Sequence, residues 1–348
     1  MKRERKGKRI GSVLTMCAML VPIMLCILST SVLPAEKPIE LRYTTTVTSI
    51  HPNFKASQEF ADEVNKRTGG KVHITVFPSG TLNPPFETFN AIKTGIAQIG
   101  AAAVGYSAQI MPLNKLFGDA LMGIPTAKEA SGLWTTALKN MPELKNEFEG
   151  MHLLWVGSTL PLSIGTYKKP INKLEDFNGL VMRFPPGLEP LAKTWGASPI
   201  SIAPGDLYVA LQKGTVEGFM GGSEMLKAMR LAEYIKYITS VSMVFGLSYT
   251  GMNIKTWESL PPDVQKVFND LTEWAEALQL KYTEESEKES LEFAFSQGCK
   301  LIKIDKAEID KIHQVSKPVF EKIAADLEAR GKPAKKVLSE IERLTSRK

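Results

Sequence analysis

The chain has 348 residues, of which 43% are hydrophobic and 23% are charged, and its formal net charge is +6. This composition is ordinary for a globular protein and excludes a disordered chain, a collagen-like chain and a repeat array. Because 348 residues exceed what one compact core usually spans, we expect two lobes.

The first 35 residues have the pattern of a secretory signal peptide. Residues 1–10 hold six basic side chains and one acidic side chain, residues 13–33 are mainly apolar, and small residues follow up to Ala35. We expect cleavage after Ala35. We expect no lipid attachment at Cys17 or Cys26, because neither follows a small residue. The alternative is a retained transmembrane anchor, since the apolar stretch approaches spanning length.

Removal of this leader changes the charge balance. It takes six of the 43 basic residues and one of the 37 acidic residues, which leaves 37 basic and 36 acidic residues. A mature net charge of about +1 gives no electrostatic case for nucleic-acid binding. One cysteine remains, Cys299, so no disulfide can form within the mature chain. We expect Cys299 to begin a buried strand and to have no catalytic role.

Strand and helix patterns alternate from residue 39 onward. The first part contains strands at 39–47, 71–77 and 96–104, a helix from His51 to Gly69, and a short helix at 85–93. This order predicts a doubly wound α/β unit. Further helices are predicted at 126–149, 190–195, 205–213 and 223–235, with surface helices at 306–329 and 334–344. Further strands are predicted at 151–156, 162–167 and 180–184.

Two long patterns suggest connections between the lobes. Residues 238–252 form either two strands or one strand that crosses between lobes. Apolar residues recur every three or four positions from 261 to 296, which predicts a helix of roughly 54 Å that braces both lobes. The alternative is a break at Glu284-Glu285. Because no flexible linker is present, the chain is expected to cross between the lobes more than once.

Side chains for catalysis or metal binding do not occur at the spacings that such sites need. His51, His73, His152 and His313 lie in no metal-binding motif. We find no nucleophile elbow, phosphate-binding loop or dinucleotide-binding glycine motif. The acidic run at 284–289 is typical of a solvated helix face. We therefore expect no catalytic residue, no metal and no cofactor.

Arg183 stands apart, because it lies near the end of an apolar strand and Pro185-Pro186 follow it. In open α/β sheets, ligands bind at the carboxyl ends of strands. An arginine there can grip a carboxylate through two parallel hydrogen bonds. The alternative, from this segment alone, is a surface salt bridge.

Residues 39–300 resemble, in order, the solute-binding subunits of tripartite ATP-independent periplasmic (TRAP) transporters. The most specific likeness is 206–218, DLYVALQKGTVEG, and 179–185, GLVMRFP, is similar to the family's G-x-x-x-R-x-P strand. Supporting matches are 60–64 (FADEV), 69–72 (GGKV), 77–82 (FPSGTL) and 196–199 (GASP).

The resemblance implies a periplasmic-binding-protein-like α/β fold with two lobes, a hinge and a long helix that spans both lobes. We expect residues 36–160 and 247–288 in lobe I, and residues 161–246 and 289–348 in lobe II. Arg183 falls on the family's carboxylate-gripping arginine. The implied function is capture of a small organic acid in the periplasm and its delivery to the membrane subunits of a TRAP transporter.

Two departures from the family pattern affect the expected site. Gly221 stands where many members have an asparagine, so we expect backbone N–H groups of Gly221 and Gly222, or the Ser223 hydroxyl, to replace it. Ser163 lies near the place of a second arginine that some members carry. The ligand is therefore not expected to be of the sialic acid type, which uses both arginines.

The remaining candidate residues are expected on the opposite wall of the ligand-binding cleft. Thr46 and His51 are its polar candidates, although His51 has the alternative role of only starting a helix. The stretch 101–104 is apolar, so we expect a monocarboxylate or a dicarboxylate with an apolar portion. Three aromatic side chains either pack against that portion or lie in the core: Tyr106, Phe184 and Phe219.

Other functions remain open on the sequence alone. They are a binding protein of an ATP-driven importer, a ligand sensor for a membrane kinase and a secreted hydrolase. We expect a monomer whose partners are a small organic anion and the membrane subunits.

Overall fold

The computed structural model describes residues 37–49, 51–78, 80–202 and 206–346. The predicted signal peptide, with Cys17, Cys26 and the cleavage site after Ala35, lies outside the described residues. The strands in this part of the chain are β1 (Ile39–Thr45), β2 (Val72–Phe77), β3 (Ile99–Ala103), β4 (Met151–Thr166), β5 (Val181–Arg183), β6 (Ser198–Ile200), β7 (Gly218–Gly221), β8 (Tyr237–Asn253) and β9 (Lys300–Ile302). The helices are α1 (Pro52–Arg67), α2 (Thr88–Thr94), α3 (Pro112–Ala120), α4 (Ala127–Asn140), α5 (Pro142–Asn146), α6 (Glu189–Thr194), α7 (Leu207–Gln212), α8 (Met225–Ala228), α9 (Ile254–Ser259), α10 (Pro262–Ser296), α11 (Lys306–Glu328) and α12 (Ala334–Thr345).

All of these strands join one mixed sheet, in the order β2-β1-β3-β8-β4-β7-β5-β6, with β9 beside β8. β1, β2 and β3 are parallel to one another, and so are β5, β6 and β7. The long strands β4 and β8 run antiparallel and connect the two parallel groups. This arrangement confirms the predicted α/β class with two lobes, and it shows how the chain crosses the sheet without a flexible linker.

β4 and β8 are each one continuous strand, of 16 and 17 residues. The prediction of two separate strands at 151–156 and 162–167 is therefore wrong. Their pairing shifts register between Ser158 and Ser163, where Pro161 has no N–H to donate. In the facing part of β8, Ser242 and Val244 have φ angles of 49° and 60°. This left-handed region is strained for residues with a side chain, so both strands are irregular at the same level of the sheet.

The helix α10 confirms the predicted long brace. Its 35 residues span about 52 Å at a rise of about 1.5 Å per residue, and it continues through Glu284-Glu285 without a break. Near its start, Val264 and Phe268 pack in a core cluster with the helix α1 and the strands β1 and β2. Near its end, Ala294 packs in a second cluster with α7 and β7. One helix therefore supports two separate cores.

Two other helix predictions need correction. The helix predicted at 126–149 divides into α4 and α5, because Pro142 forces Met141 into an extended conformation. The helix predicted at 223–235 is only α8 followed by a short 3₁₀ turn, because Arg230 adopts a left-handed conformation with φ of 57°. The surface helices predicted at the end of the chain, α11 and α12, also bury Phe320 and Val337 in the main core.

Candidate functional site

A cavity of about 260 Å³ lies at the carboxyl ends of β1 and β3, beside the irregular middle of β4 and β8. The helix α1 contributes one face at positions i, i+3, i+4 and i+7, which are Asn53, Ala56, Ser57 and Phe60. The loop after β7 and the inward face of α10 complete the wall. The volume lies just below the roughly 300–1,000 Å³ of sites for drug-sized ligands, so the cavity suits a small metabolite.

Arg183 ends β5, between the parallel strands β6 and β7. Its side chain is 5% exposed. The guanidinium donates through Nε to the carbonyl oxygen of Ile202 at 3.3 Å and through Nη1 to that of Met220 at 3.0 Å. Two backbone carbonyls therefore fix the plane of the guanidinium, while most of its five N–H donors stay available.

The charge of Arg183 has no acidic partner among the described residues. Burial lowers the pKa of the guanidinium, and the nearby Tyr106 opposes this shift. Arg183 does not itself line the cavity, whereas Tyr106 does. Burial raises the pKa of the Tyr106 hydroxyl, the charge of Arg183 lowers it and the charge of Glu224 raises it. Tyr106 thus lies within electrostatic range of both a cation and a carboxylate.

His51 starts the helix α1 and also lines the cavity. As the N-cap of α1, its Nδ1 accepts a hydrogen bond from the backbone N–H of Asn53 at 3.1 Å. A ring that accepts through Nδ1 carries its proton on Nε2 when neutral, and burial lowers the pKa of His51. His51 also lines the cavity, together with Thr46 at the end of β1. The N-cap bond therefore leaves Nε2 of His51 free of this interaction.

A chain of hydrogen bonds that the sequence did not reveal joins α10 to both long strands. The indole Nε1 of Trp155 on β4 donates to Oε1 of Gln279 on α10 at 2.8 Å. The Nε2 of Gln279 donates in turn to the hydroxyl of Ser248 on β8 at 2.8 Å. All three residues line the cavity. On the α1 side, Ser57 donates to the Tyr43 hydroxyl at 3.3 Å.

The family model of "Bacterial extracellular solute-binding protein, family 7" matches residues 43–327. The chain belongs to this family. A TRAP periplasmic solute-binding protein of Desulfovibrio salexigens is 32% identical and has a TM-score of 0.79, over 88% of this chain and 96% of that chain. The predicted recognition as a TRAP solute-binding subunit is confirmed.

Two curated relatives are similar over most of their length. The monocarboxylate 2-oxoacid-binding periplasmic protein of a Nostoc species is 23% identical over 303 residues, which cover 85% of this chain and 83% of that protein. The C4-dicarboxylate-binding periplasmic protein DctP of Rhodobacter capsulatus is 27% identical over 279 residues, which cover 75% of this chain and 79% of that protein.

In this solute-binding protein, the signature at 206–218 contacts the two strands β5 and β7 that position Arg183. Leu207 and Leu211 lie in the same core cluster as Phe219 of β7. The carboxylate of Glu217 accepts a hydrogen bond from the backbone N–H of Val181, the first residue of β5, at 3.2 Å. The signature therefore packs against β7 and holds the start of β5, the strand that ends at Arg183.

Several predicted site residues lie outside the cavity lining. Phe184 is 1% exposed and packs edge-on against Trp195 in the main core. Phe219 is equally buried, and its ring fills the space beside Gly165 and Gly221. Each of the two aromatic side chains thus has the core position that the sequence had left as the alternative.

The expected replacements for the family's asparagine divide between strand and cavity. Gly221 pairs with Ser163 across β4 and β7, and neither residue lines the cavity. Gly222 and Ser223 line it, and the Ser223 hydroxyl donates to Oε1 of Glu287 at 3.2 Å. Of the predicted replacements, Gly222 and Ser223 are therefore the ones that line the cavity.

Two carboxyl groups in the cavity wall, Glu224 and Glu287, escaped the sequence analysis. The assignment of Glu287 to a solvated helix face is wrong, because it is half-buried on the inward face of α10 while Glu284, Glu285 and Glu289 are exposed. Burial raises the pKa of both carboxyl groups, and the charge of Glu287 raises that of Glu224 further. Gln279, Thr283 and Glu287 follow one another at intervals of four residues and therefore share one face of α10. This spacing is the sequence pattern that could have indicated Glu287 as part of the cavity wall.

Within the described ranges, no group of three or more His, Cys, Asp or Glu residues is placed to hold a metal ion. No helix in those ranges is both long and apolar enough to cross a membrane. Cys299 is 6% exposed and lies one residue before β9, but the prediction of a buried strand is wrong, because Lys300 and Leu301 of β9 are exposed. Its thiol donates to the carbonyl oxygen of Ile235 at 3.0 Å, and burial raises its pKa.

Proposed function

We propose that this protein is a periplasmic receptor that grips a small organic acid by its carboxylate on Arg183 and delivers it to the membrane subunits of a TRAP transporter. Membership of the solute-binding family supports the proposal. So do curated relatives named for binding monocarboxylate 2-oxoacids and C4-dicarboxylates.

The observation that carries the proposal is a buried cation without a counter-ion. Arg183 is 5% exposed, and its hydrogen-bond acceptors among the described residues are two neutral carbonyl groups. A buried charge is costly unless an opposite charge compensates it. A carboxylate ligand supplies that charge and matches the planar donor fork of arginine.

The rest of the ligand occupies the cavity beside Arg183. Tyr106 lines the cavity within electrostatic range of the guanidinium, so the part of the ligand next to its carboxylate would contact this side chain. Thr46 and the Nε2–H group of His51 offer hydrogen bonds from the β1 side, and Gly222 and Ser223 offer them from the β7 side. The apolar portion packs against Ala101–Ala103.

The receptor closes around the ligand by a hinge movement of its two lobes. We assign residues 36–160 and 247–288 to lobe I, and residues 161–246 and 289–348 to lobe II. Irregular pairing of β4 near Pro161 and positive φ angles of β8 at Ser242 and Val244 support this division, because they lie close to the first two of its three crossings. Closure removes water from the Arg183–carboxylate pair, which strengthens it.

The test starts with mass spectrometry of small molecules that co-purify with the native protein, followed by calorimetry with the identified acid. Arg183→Ala is expected to weaken binding by about thirtyfold or more, because loss of one member of a buried charge pair costs about 2–5 kcal/mol. The matched control is Arg230→Ala, which removes an exposed arginine paired with Glu233. Equal affinity of Arg183→Ala and wild type would refute the proposal.

Transport is tested separately from binding. Deletion of the TRAP membrane subunits in the source organism is expected to abolish uptake of the identified acid, while the purified receptor, a monomer, still binds it. Uptake that continues would indicate an ATP-driven importer or a sensor. Chemical conversion of the acid by the purified protein would indicate an enzyme.

A further inference from the structure

We infer that the ligand is a monocarboxylate that carries a hydrogen-bond donor, a hydroxyl or an ammonium group, at the end remote from its carboxylate, and that Glu224 and Glu287 accept from this donor. The inference rests on the proposed function and specifies its ligand class. It also means that the site rejects a second carboxylate at that end.

The first observation is the distribution of charge. The residues that line the cavity include no lysine or arginine, and their two carboxyl groups are those of Glu224 and Glu287. The nearby cation is Arg183, which lies within electrostatic range of Tyr106, as Glu224 does, and forms no ion pair with Glu224 among the described residues. In this proposal the ligand carboxylate lies on the Arg183 side of Tyr106, and the remote end lies beside the two acidic residues.

The second observation is an excess of hydrogen-bond acceptors. Glu287 accepts from Ser223 through Oε1, and Glu224 is contacted by its own backbone N–H. The Oδ1 atom of Asn53, another lining residue, is buried and accepts no hydrogen bond within the described ranges. Buried acceptors are normally satisfied, so an unfilled one on a residue that lines the cavity is consistent with a donor on the ligand.

The two carboxyl groups come from different parts of the fold. Glu224 follows β7, whereas Glu287 projects from α10, and the hydroxyl of Ser223, the residue before Glu224, donates to Glu287. A single donor group placed between them would contact both elements at once. A carboxylate in the same place would instead meet two like charges and no cation, and like charges at close range repel strongly in a partly buried site.

The test uses para-substituted benzoates that differ only at the remote end: 4-methylbenzoate, 4-(hydroxymethyl)benzoate, 4-(aminomethyl)benzoate and terephthalate. A matched aliphatic set is hexanoate, 6-hydroxyhexanoate, 6-aminohexanoate and heptanedioate. Calorimetry is expected to show that the hydroxyl and ammonium members bind about tenfold or more tightly than the methyl member of their set, and that the dicarboxylate binds most weakly.

Neutral variants test the acidic residues directly. Glu224→Gln and Glu287→Gln are expected to weaken binding of the ammonium compound about tenfold and to strengthen binding of the dicarboxylate. The hydroxyl compound is expected to change less, because glutamine keeps one acceptor oxygen. Glu289→Gln is the control, since Glu289 lies on the same helix, is exposed and pairs with Lys227.

The outcomes separate this inference from the function on which it rests. If a dicarboxylate or an unsubstituted acid binds most tightly, and Arg183→Ala abolishes that binding, the inference fails while the proposed function stands. The inference also fails if neither set binds, or if the two glutamine variants keep the wild-type order of affinities. If binding of an acid is indifferent to Arg183→Ala, the proposed function itself fails.

Discussion

The strained backbone at Val244 predicts an inverted order of stability between two variants. Val244 has a φ angle of 60° and is 2% exposed, so a buried β-branched residue adopts a left-handed backbone conformation. At ordinary positions in a strand, alanine is more stable than glycine. At Val244 we expect Val244→Gly to be more stable than Val244→Ala.

The magnitude follows from two opposing terms. A residue with a Cβ pays about 1–2 kcal/mol in the left-handed region, and glycine does not. Glycine loses about 0.5–1 kcal/mol more conformational entropy than alanine on folding. Because both variants remove the buried methyl groups of Val244, that loss largely cancels in the comparison. Val244→Gly is therefore expected to exceed Val244→Ala by about 0.5–1 kcal/mol in the free energy of unfolding.

The assay is urea unfolding followed by tryptophan fluorescence, with circular dichroism as a second probe of the same transition. Val241 provides the matched control, because it is buried in the same strand and is not among the described residues with positive φ. There, the alanine variant should be the more stable one, by about 0.5–1 kcal/mol. If the alanine variant is also the more stable at Val244, the backbone there is not strained and the hinge argument loses its support.

Three further predictions concern stability and reactivity. Glu147→Ala is expected to lower the free energy of unfolding in urea by about 3 kcal/mol. The carboxylate of Glu147 accepts hydrogen bonds from the backbone N–H groups of Leu113 and Asn114, at the start of α3, and from the Asn114 side chain. An unchanged unfolding midpoint would contradict this prediction. Burial lowers the pKa of His51 in the folded protein, so the unfolded chain binds the proton more readily. The contribution of His51 to the free energy of unfolding is therefore complete above a pH of about 6.5 and falls as the pH drops below that value. His51→Gln should reduce the loss of stability between pH 7.5 and pH 5, and an identical pH profile would refute this role. Cys299 in the mature protein should react with a thiol reagent at least about tenfold faster in urea than in buffer, and equal rates would show that it is not buried.

Local sequence patterns predicted most of the elements near Arg183. The alternation of strands and helices gave the parallel group β1, β2 and β3, because each element carries its own apolar period. The strand that ends near Arg183 was recognisable for the same reason. Short elements such as α9 and β6 were missed, since three to six residues contain too little of a period to stand out.

Residues that are distant in the sequence decided the composition of the cavity. Glu287 belongs to a run of acids that is otherwise exposed, and only the packing of α10 turns this one toward the site. Phe184 and Phe219 lie close in sequence to predicted ligand-binding residues. Strand alternation and core packing nevertheless direct their side chains away from the cavity.

The sequence by itself determined the class of the fold, the family and the candidate arginine, because periodicity and short motifs are properties of neighbouring residues. The tertiary structure alone decided which side chains line the cavity, and that two of them are the carboxyl groups of Glu224 and Glu287. The physical reason is that burial and charge proximity arise from contacts between β4, β7, β8 and α10, which no local pattern records.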